Sequence, residues 1–137
     1  MPDTLKLEIV TPDAQTYSDD VEMVTLPGIE GEMGIYPHHV PLMTQLAPGE
    51  VVVRKDGADI FLAVGDGFVE VTGDHVAILT DMAIKADDID EAKAEEARRR
   101  AEARLAEQID AGENAIVSAA LANALAQINV KRRRTHR

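Results

Sequence analysis

The sequence predicts an α+β fold in two parts: an N-terminal antiparallel β-sandwich or barrel over residues 1–86, then a C-terminal antiparallel helical hairpin over residues 87–137. Three observations predict it. Apolar residues alternate with period two through roughly the first 80 positions, as they do in half-buried strands. Turn residues punctuate that region every 8 to 12 positions or so, the spacing of sandwiches and barrels. The period then changes, and from Asp87 to Ile109 there is neither Pro nor Gly.

In Leu5-Lys6-Leu7-Glu8-Ile9 the three apolar residues share one face and the two charged residues the other, and Thr11-Pro12-Asp13 marks a turn. A second run, Val21 to Leu26, stops at Pro27-Gly28. Glu50 to Arg54 and Asp59 to Val64 flank Lys55-Asp56-Gly57-Ala58, and Asp-Gly between alternating runs is a hairpin signal because Gly tolerates positive φ. Gly67 to Val71 and His75 to Thr80 form another hairpin around Thr72-Gly73-Asp74.

Beyond residue 86, Ala, Glu and Arg dominate, all strong helix formers. Asp87, Asp88 and Asp90 suit a helix start, where carboxylates cap free N–H groups and meet the positive end of the dipole. Ala94, Ala97, Ala101, Leu105 and Ile109 trace one face, and Gly112 is expected to close this first helix. A second helix is expected from about Glu113 to Val130, with a stripe of Val117, Leu121, Leu125 and Ile128 beside Ala120 and Ala124. So short a connection makes the helices antiparallel. Alanine on the facing surfaces permits approach toward the lower end of the usual ~8–10 Å. It also buries little bulk, so the hairpin is expected to be only lightly held shut.

Apolar residues make up 45% of the chain, enough for a core, but with two Phe, two Tyr and no Trp that core must be aliphatic. The absence of Cys excludes a disulfide scaffold, a thiol nucleophile and thiolate metal ligands. The N-terminus lacks the basic flank and apolar run of a signal peptide, and no stretch approaches the roughly 20 apolar residues of a bilayer span, so the chain reads as soluble. The net charge of −11 sits entirely in residues 1–86, which hold 15 acidic and 4 basic residues, whereas residues 87–137 hold 10 of each. Such a surface repels phosphates and argues against nucleic-acid binding. It serves either solubility or steering toward a basic partner.

The most distinctive segment is Leu26-Pro-Gly-Ile-Glu-Gly-Glu-Met-Gly-Ile-Tyr-Pro-His-His-Val-Pro-Leu-Met-Thr44. Its Gly and Pro content argues against a regular strand and for a ladder of tight turns at a sandwich edge, with Gly28, Gly31 and Gly34 taking unusual φ angles. Shaped loops of this kind often carry binding sites. A metal site at His38 and His39 is disfavoured: neighbours in extended chain point apart and no third ligand stands at a recognisable spacing. Nothing marks a substrate pocket or nucleophile beside Glu30 and Glu32, and there is no Gly-x-x-x-x-Gly-Lys-Ser/Thr phosphate loop, so no catalytic residues are expected.

The run from Pro27 to Leu42 closely resembles the signature of ATP synthase epsilon subunits. Leu7-Glu-Ile-Val-Thr-Pro12, Leu46-Ala-Pro-Gly-Glu50, Gly67-Phe-Val-Glu-Val71, Thr80-Asp-Met-Ala83 and Asp88-Ile-Asp-Glu-Ala92 match in order, so the resemblance covers nearly the whole chain. It implies a sandwich that packs on the gamma subunit and on the polar loops of the membrane c-ring. It also implies a hairpin that either folds on the sandwich or extends along gamma toward the catalytic alpha and beta subunits, blocking ATP hydrolysis in many members. A peripheral place on the cytoplasmic side of a bacterial inner membrane follows.

By the same resemblance Glu32 falls at the position that meets the c-ring, with His39 close by in the motif; without it, Glu32 reads as an exposed turn residue and His39 as a loop-ordering hydrogen bonder. The family often has Gly where this chain has His38. Ile89-Asp90-Glu91-Ala92-Lys93-Ala94 resembles the family's nucleotide motif Ile/Leu-Asp-x-x-Arg-Ala, although Asp90 also reads as a cap and Ile89 as packing. Lys93 lacks the planar fork of Arg, and Glu113 to Val130 supplies no cation, so ATP is expected to be at most a weak regulatory ligand. Arg98, Arg99, Arg100 and Arg104 read as a solvated face offset by Glu95, Glu96 and Glu102. Lys131, Arg132, Arg133 and Arg134, with Arg137, have no acidic neighbours in sequence and could reach an acidic segment of a catalytic subunit. The competing reading is an independent ATP-sensing module.

Overall fold

In the computed structural model, residues 3–135 are described, and Arg137 of the basic tail lies outside them. Ten strands come first: β1 (Leu5–Val10), β2 (Gln15–Val21), β3 (Met23–Gly28), β4 (Gly31–Ile35), β5 (Leu42–Leu46), β6 (Gly49–Lys55), β7 (Ala58–Val64), β8 (Gly67–Thr72), β9 (His75–Thr80) and β10 (Ala83–Lys85). They follow the order β10-β7-β6-β3-β5-β8-β9-β1-β2, with β4 paired to β3, and all pairs are antiparallel except β1 with β9. The sheet folds over where a single bridge, Gly28 to Leu46, joins β3 to β5. Leu5, Leu7, Ile9, Val24, Leu26, Val51, Val53, Leu62, Val69, Val71 and Ile78 point between the two layers, and all are essentially sealed from solvent.

The two expected hairpins are present. Asp56 and Gly57 both take positive φ (53° and 77°), the requirement of the two-residue turn joining β6 to β7. The Gly/Pro-rich segment differs from expectation. Most of it is strand, because β3 and β4 pair from Val24–Ile35 to Gly28–Gly31 and only Gly31 of the three glycines takes a positive φ (133°). Pro27 is tolerated because β3 changes partners there: Met23 to Thr25 pair with β6, whereas Gly28 pairs with β5. The expected run Val21–Leu26 is also two strands, broken at Glu22, whose amide donates to the Arg54 carbonyl at 2.8 Å.

A short 3₁₀ turn, Ala86–Asp88, leads into α1 (Glu91–Leu105) and α2 (Ala111–Thr135). Asp90 caps α1 through the Lys93 amide at 3.2 Å. Gly112 does not close the first helix. α1 ends seven residues earlier in sequence at Leu105, and Gly112 lies in the first turn of α2, whose start is capped by Asp110 through the Glu113 amide at 2.8 Å. Arg104 clasps the helix–helix turn, with Nε and Nη2 each 2.7 Å from the Glu113 carboxylate, and this pairing holds Glu113 below the usual carboxylate range.

α2 also runs past Val130 and takes Lys131 to Arg134 into its last turns, where cations meet the negative end of the dipole. It packs on α1 through Ala124 and Ile128, as Ala94 and Ala101 do from the other side, and on β6 and β7 through Ala126 and Val130. Leu125, expected in the buried stripe, is 39% exposed. The stripe is displaced because α2 serves two surfaces at once, and the smaller Ala126 faces the sandwich. Ala63, Ala86, Ile89, Ala126 and Val130, with Phe61, Met82 and Ile84, form this second apolar cluster, separate from the core between the sheets.

Candidate functional site

Strand alternation sorts the outer surfaces of the two layers. On β7, Leu62 and Val64 enter the core, so Phe61 and Ala63 face outward, beneath α2. On the other layer, Val69 and Ile78 point inward, which leaves Phe68 and Leu79 outward as register partners at 59% and 52% exposure. Met43 of β5, at 69%, adds to this face. Apolar groups that recur in outward positions of neighbouring strands break the alternation and form a patch, the kind of surface at which partner contacts concentrate. The signal was present in the sequence, since Phe68 and Leu79 fall on the polar register of runs read as strands.

The β3–β4 tip carries Ile29, Glu30 and Glu32, all exposed, with Glu32 opposite Pro27. Glu32 also lines a groove with Pro27, Pro48 and Gly49 on one side and Leu125 and Asn129 of α2 on the other. His39 is not beside it. Gly28, Leu46 and Gly67 mark one end of the layer through their pairings, whereas the loop bearing His38 and His39 meets the β8–β9 turn at the other end through the His38 amide and Asp74, at 2.8 Å. His39 Nδ1 donates to the Val40 carbonyl at 2.7 Å, a loop-ordering bond.

His38 adopts a left-handed φ of 68°, the conformation that glycine takes most easily. Its ring lies 2.8 Å from Asp3 and 3.4 Å from Asp74, and the hydrogen bond to Asp3, aided by the charge of Asp74, raises its pKa above the ordinary histidine value. A raised folded-state value stabilises the fold below the unfolded pKa of about 6.5, and that contribution is lost as pH rises through the higher folded value. An NMR titration of His38 is therefore expected to show a midpoint above the ordinary value, and Asp3→Asn to move it back down.

At the start of α1, Ile89 and Ala94 are buried, Asp90 is engaged as the cap, and Lys93 is exposed. Lys93 and Ala94 line a groove of about 420 Å³ with Asp81, Met82, Ala97, Ala120, Asn123 and Gln127. Its charged side chains are Lys93 and the anionic Asp81, the latter accepting from Asn123 at 3.3 Å. Of the arginines on α1, Arg98 pairs with Glu95 at 2.7 Å and Arg100 with Glu96 at 2.8 Å, while Arg99 is exposed. Arg98 holds the Glu95 carboxyl below its usual range.

The basic end of α2, which has no acidic neighbours in sequence, has them in space. Arg132 reaches Glu91 at 3.0 Å and Glu95 at 2.7 Å, and Arg133 and Arg134 both reach Glu50 of β6. Sequence reading missed Glu50, which lies 83 and 84 positions from these partners.

Residues 4–86 match the family described as ATP synthase, Delta/Epsilon chain, beta-sandwich domain, and residues 87–132 match its long alpha-helix domain. The chain belongs to the ATP synthase delta/epsilon family. Among curated relatives, the ATP synthase epsilon chain of Laribacter hongkongensis is 41% identical over 138 aligned positions, covering 97% of this chain and 99% of that one. The ATP synthase epsilon chain of Bacillus subtilis is 47% identical over 107 positions, covering 78% and 81%. A chain in the solved OSCP/F1/c-ring assembly of the Euglena gracilis mitochondrial ATP synthase superposes with a TM-score of 0.71 at 27% identity, covering 89% of this chain and 78% of that one. Against this delta/epsilon family background, the outward Met43, Phe68 and Leu79 and the charged β3–β4 tip lie on a sandwich whose curated relatives are named ATP synthase epsilon chains.

Proposed function

We propose that the chain is a non-catalytic central-stalk subunit that joins gamma to the c-ring and, through its hairpin, restrains ATP hydrolysis. The observation that carries this reading is the outward apolar face of Met43, Phe68 and Leu79, on the layer opposite the one α2 covers. A gamma subunit seated there would bury it, and the β3–β4 tip with Glu32 then meets the polar loops of the c-ring. Torque passes through a sandwich whose two layers share one aliphatic core. Peripheral attachment at the cytoplasmic membrane face follows from the complex alone, since no helix among the described residues is long and apolar enough to cross a bilayer.

The hairpin acts as a two-state element. The apolar side chains that α2 itself brings to its contact with β6 and β7 are the small Ala126 and Val130, so a modest bias from rotor position or proton-motive force suffices to release it. Once extended, α1 and α2 enter between the catalytic alpha and beta subunits with little side-chain bulk, and Arg98, Arg99, Arg100 and the Lys131–Arg134 turn face acidic partners there. ATP bears on this state weakly. Among the described residues lining the inter-helix groove, Lys93 is the one cation, and it sits beside Asp81. A calorimetric dissociation constant in the micromolar range would overturn the weak-ligand reading. An independent ATP-sensing module gains no support from that groove.

Reconstitution into vesicles of the whole enzyme, with gamma, the catalytic hexamer and the c-ring sector, tests the proposal. Deleting residues 88–137 is expected to raise hydrolysis about fivefold, at the low end of coupling between sites, with proton pumping retained. Unchanged hydrolysis would refute the inhibitory role, and loss of pumping would place coupling in the hairpin instead of the sandwich.

A further inference from the structure

Two sets of ion pairs involve the last turns of α2, and they differ in what they join. Arg132 pairs with Glu91 and Glu95, both at the start of α1, so these contacts travel with the hairpin wherever it goes. Arg133 and Arg134 pair with Glu50, which belongs to the sandwich. The Glu50 carboxylate accepts three N–H groups: Arg133 Nη1 at 3.1 Å, Arg134 Nε at 2.9 Å, and Arg134 Nη2 on the same oxygen as Arg133. The Glu50 and Arg134 side chains are only 10% and 13% exposed, and the Arg134 guanidinium lies over the Phe61 ring, 3.7 Å from its centroid. Lys131 adds one more link, donating to the Ala86 carbonyl at 3.1 Å.

We propose that Glu50 is the catch of the hairpin, the residue whose engagement by Arg134 and Arg133 sets how often α2 leaves the sandwich. The enclosure of the pair gives it this leverage. Exposed pairs such as Arg132 with Glu91 are screened and add little. In a carboxylate–guanidinium pair withdrawn from water, removing one partner strands the other, desolvated, without a counter-charge. Arg134 is held side-on through two nitrogens while its guanidinium lies over the Phe61 ring. A lysine could still sit over the ring but lacks the planar two-nitrogen fork. Once α2 departs, both groups return to water, and the same two arginines become available to an acidic surface on a catalytic subunit. Closing the catch and engaging such a partner are mutually exclusive.

The catch rests on the two-state reading of the hairpin proposed above, and the two are separable by experiment. The chain has no cysteine, so Asp66→Cys in the β7–β8 turn, beside the Gly65 that Asn123 of α2 abuts, and Ser118→Cys on α2 give unique sites for spin labels in the full chain. Distances between them, read by pulsed electron resonance on the isolated protein, are expected to be short in the parent. Glu50→Gln should raise the long-distance population at least about tenfold. Arg134→Lys, which keeps the charge and threatens no fold, should raise it by less, and Arg133→Ala by least, because Arg133 is 58% exposed. Arg134→Gln added to Glu50→Gln should leave the hairpin less open than Glu50→Gln alone, since no stranded charge remains. Distributions indistinguishable from the parent for both Glu50→Gln and Arg134→Lys would overturn the catch. These distances are independent of whether the released hairpin inhibits hydrolysis, which the deletion of residues 88–137 addresses alone.

Discussion

Replacing Ala63 with arginine is expected to expel the helical hairpin from a sandwich that stays folded. Ala63 is wholly buried, faces α2 from β7, and stands directly across the strand pair from Glu50. A side chain of arginine's size has no room beneath Ala126 and Val130, and overpacking of a filled site costs roughly 1–3 kcal/mol before charge is considered. The charge works in the same direction. The introduced guanidinium would repel Arg133 and Arg134 while offering Glu50 a cross-strand partner of its own, a pairing that stabilises antiparallel neighbours. With α2 gone, position 63 is an outward site on a strand still bonded to β6 and β10, and the inter-sheet core is untouched. Hydrogen exchange should reveal the split. Amides of α1 and α2 should exchange at least about a hundredfold faster, because helices in proteins draw most of their stability from tertiary packing and these would lose the sandwich, while those of β8 and β9 keep their protection. Uniform loss of protection across both parts would mean that hairpin and sandwich are one cooperative unit.

Gly67→Ala is expected to damage the sandwich itself. A Cβ on Gly67 would lie 1.8 Å from the Leu79 carbonyl oxygen and 2.8 Å from both the Leu79 carbonyl carbon and the Thr80 Cα. All of these are backbone atoms of the neighbouring strand and cannot rotate away. Gly67 pairs with Leu46 on one side and Thr80 on the other, so relief requires β8 and β9 to part beside the line where the sheet folds over. A loss of at least about 3 kcal/mol is expected, which lowers the melting temperature by some 15 °C or more for a domain this small. Gly65→Ala is the control. Its Cβ would meet Asp81 Oδ1 at 1.9 Å and Asn123 Oδ1 at 2.4 Å, but those are ends of side chains that can swing aside. Its cost should be about 1 kcal/mol, chiefly the hydrogen bond between Asn123 and Asp81. Equal melting temperatures for the two variants would refute the close-approach argument.

The parts of the fold legible in the sequence are those where local chemistry and global packing agree. Leu5-Lys-Leu-Glu-Ile alternates because one face of β1 is core and the other solvent, and Asp56-Gly57 turns because both residues tolerate positive φ. β2 escaped notice because Gln15-Thr-Tyr-Ser-Asp-Asp-Val buries only Tyr17 and Val21 at the end of the strand order, where polar residues are tolerated. The Gly/Pro motif was read as turns because composition does not reveal that β3 changes partners at Pro27.

The boundaries of α2 failed at both ends for similar reasons. Asp110 supplies a cap that outweighs Gly112, and the arginines of the last turn find Glu91, Glu95 and Glu50 only through tertiary structure. No local pattern carries that last contact. By contrast, Phe68 and Leu79 were readable in advance as apolar residues on the outward register of their strands.

That outward face underlies the assignment of the sandwich as the link between gamma and the c-ring, and the affinity of the full chain for the enzyme's own gamma subunit tests it most directly. The parent is expected to bind, and Phe68→Glu to bind at least about 30-fold more weakly while keeping its melting temperature, the loss typical of a central apolar anchor. Equal binding by the two proteins, or none by the parent, would contradict the account.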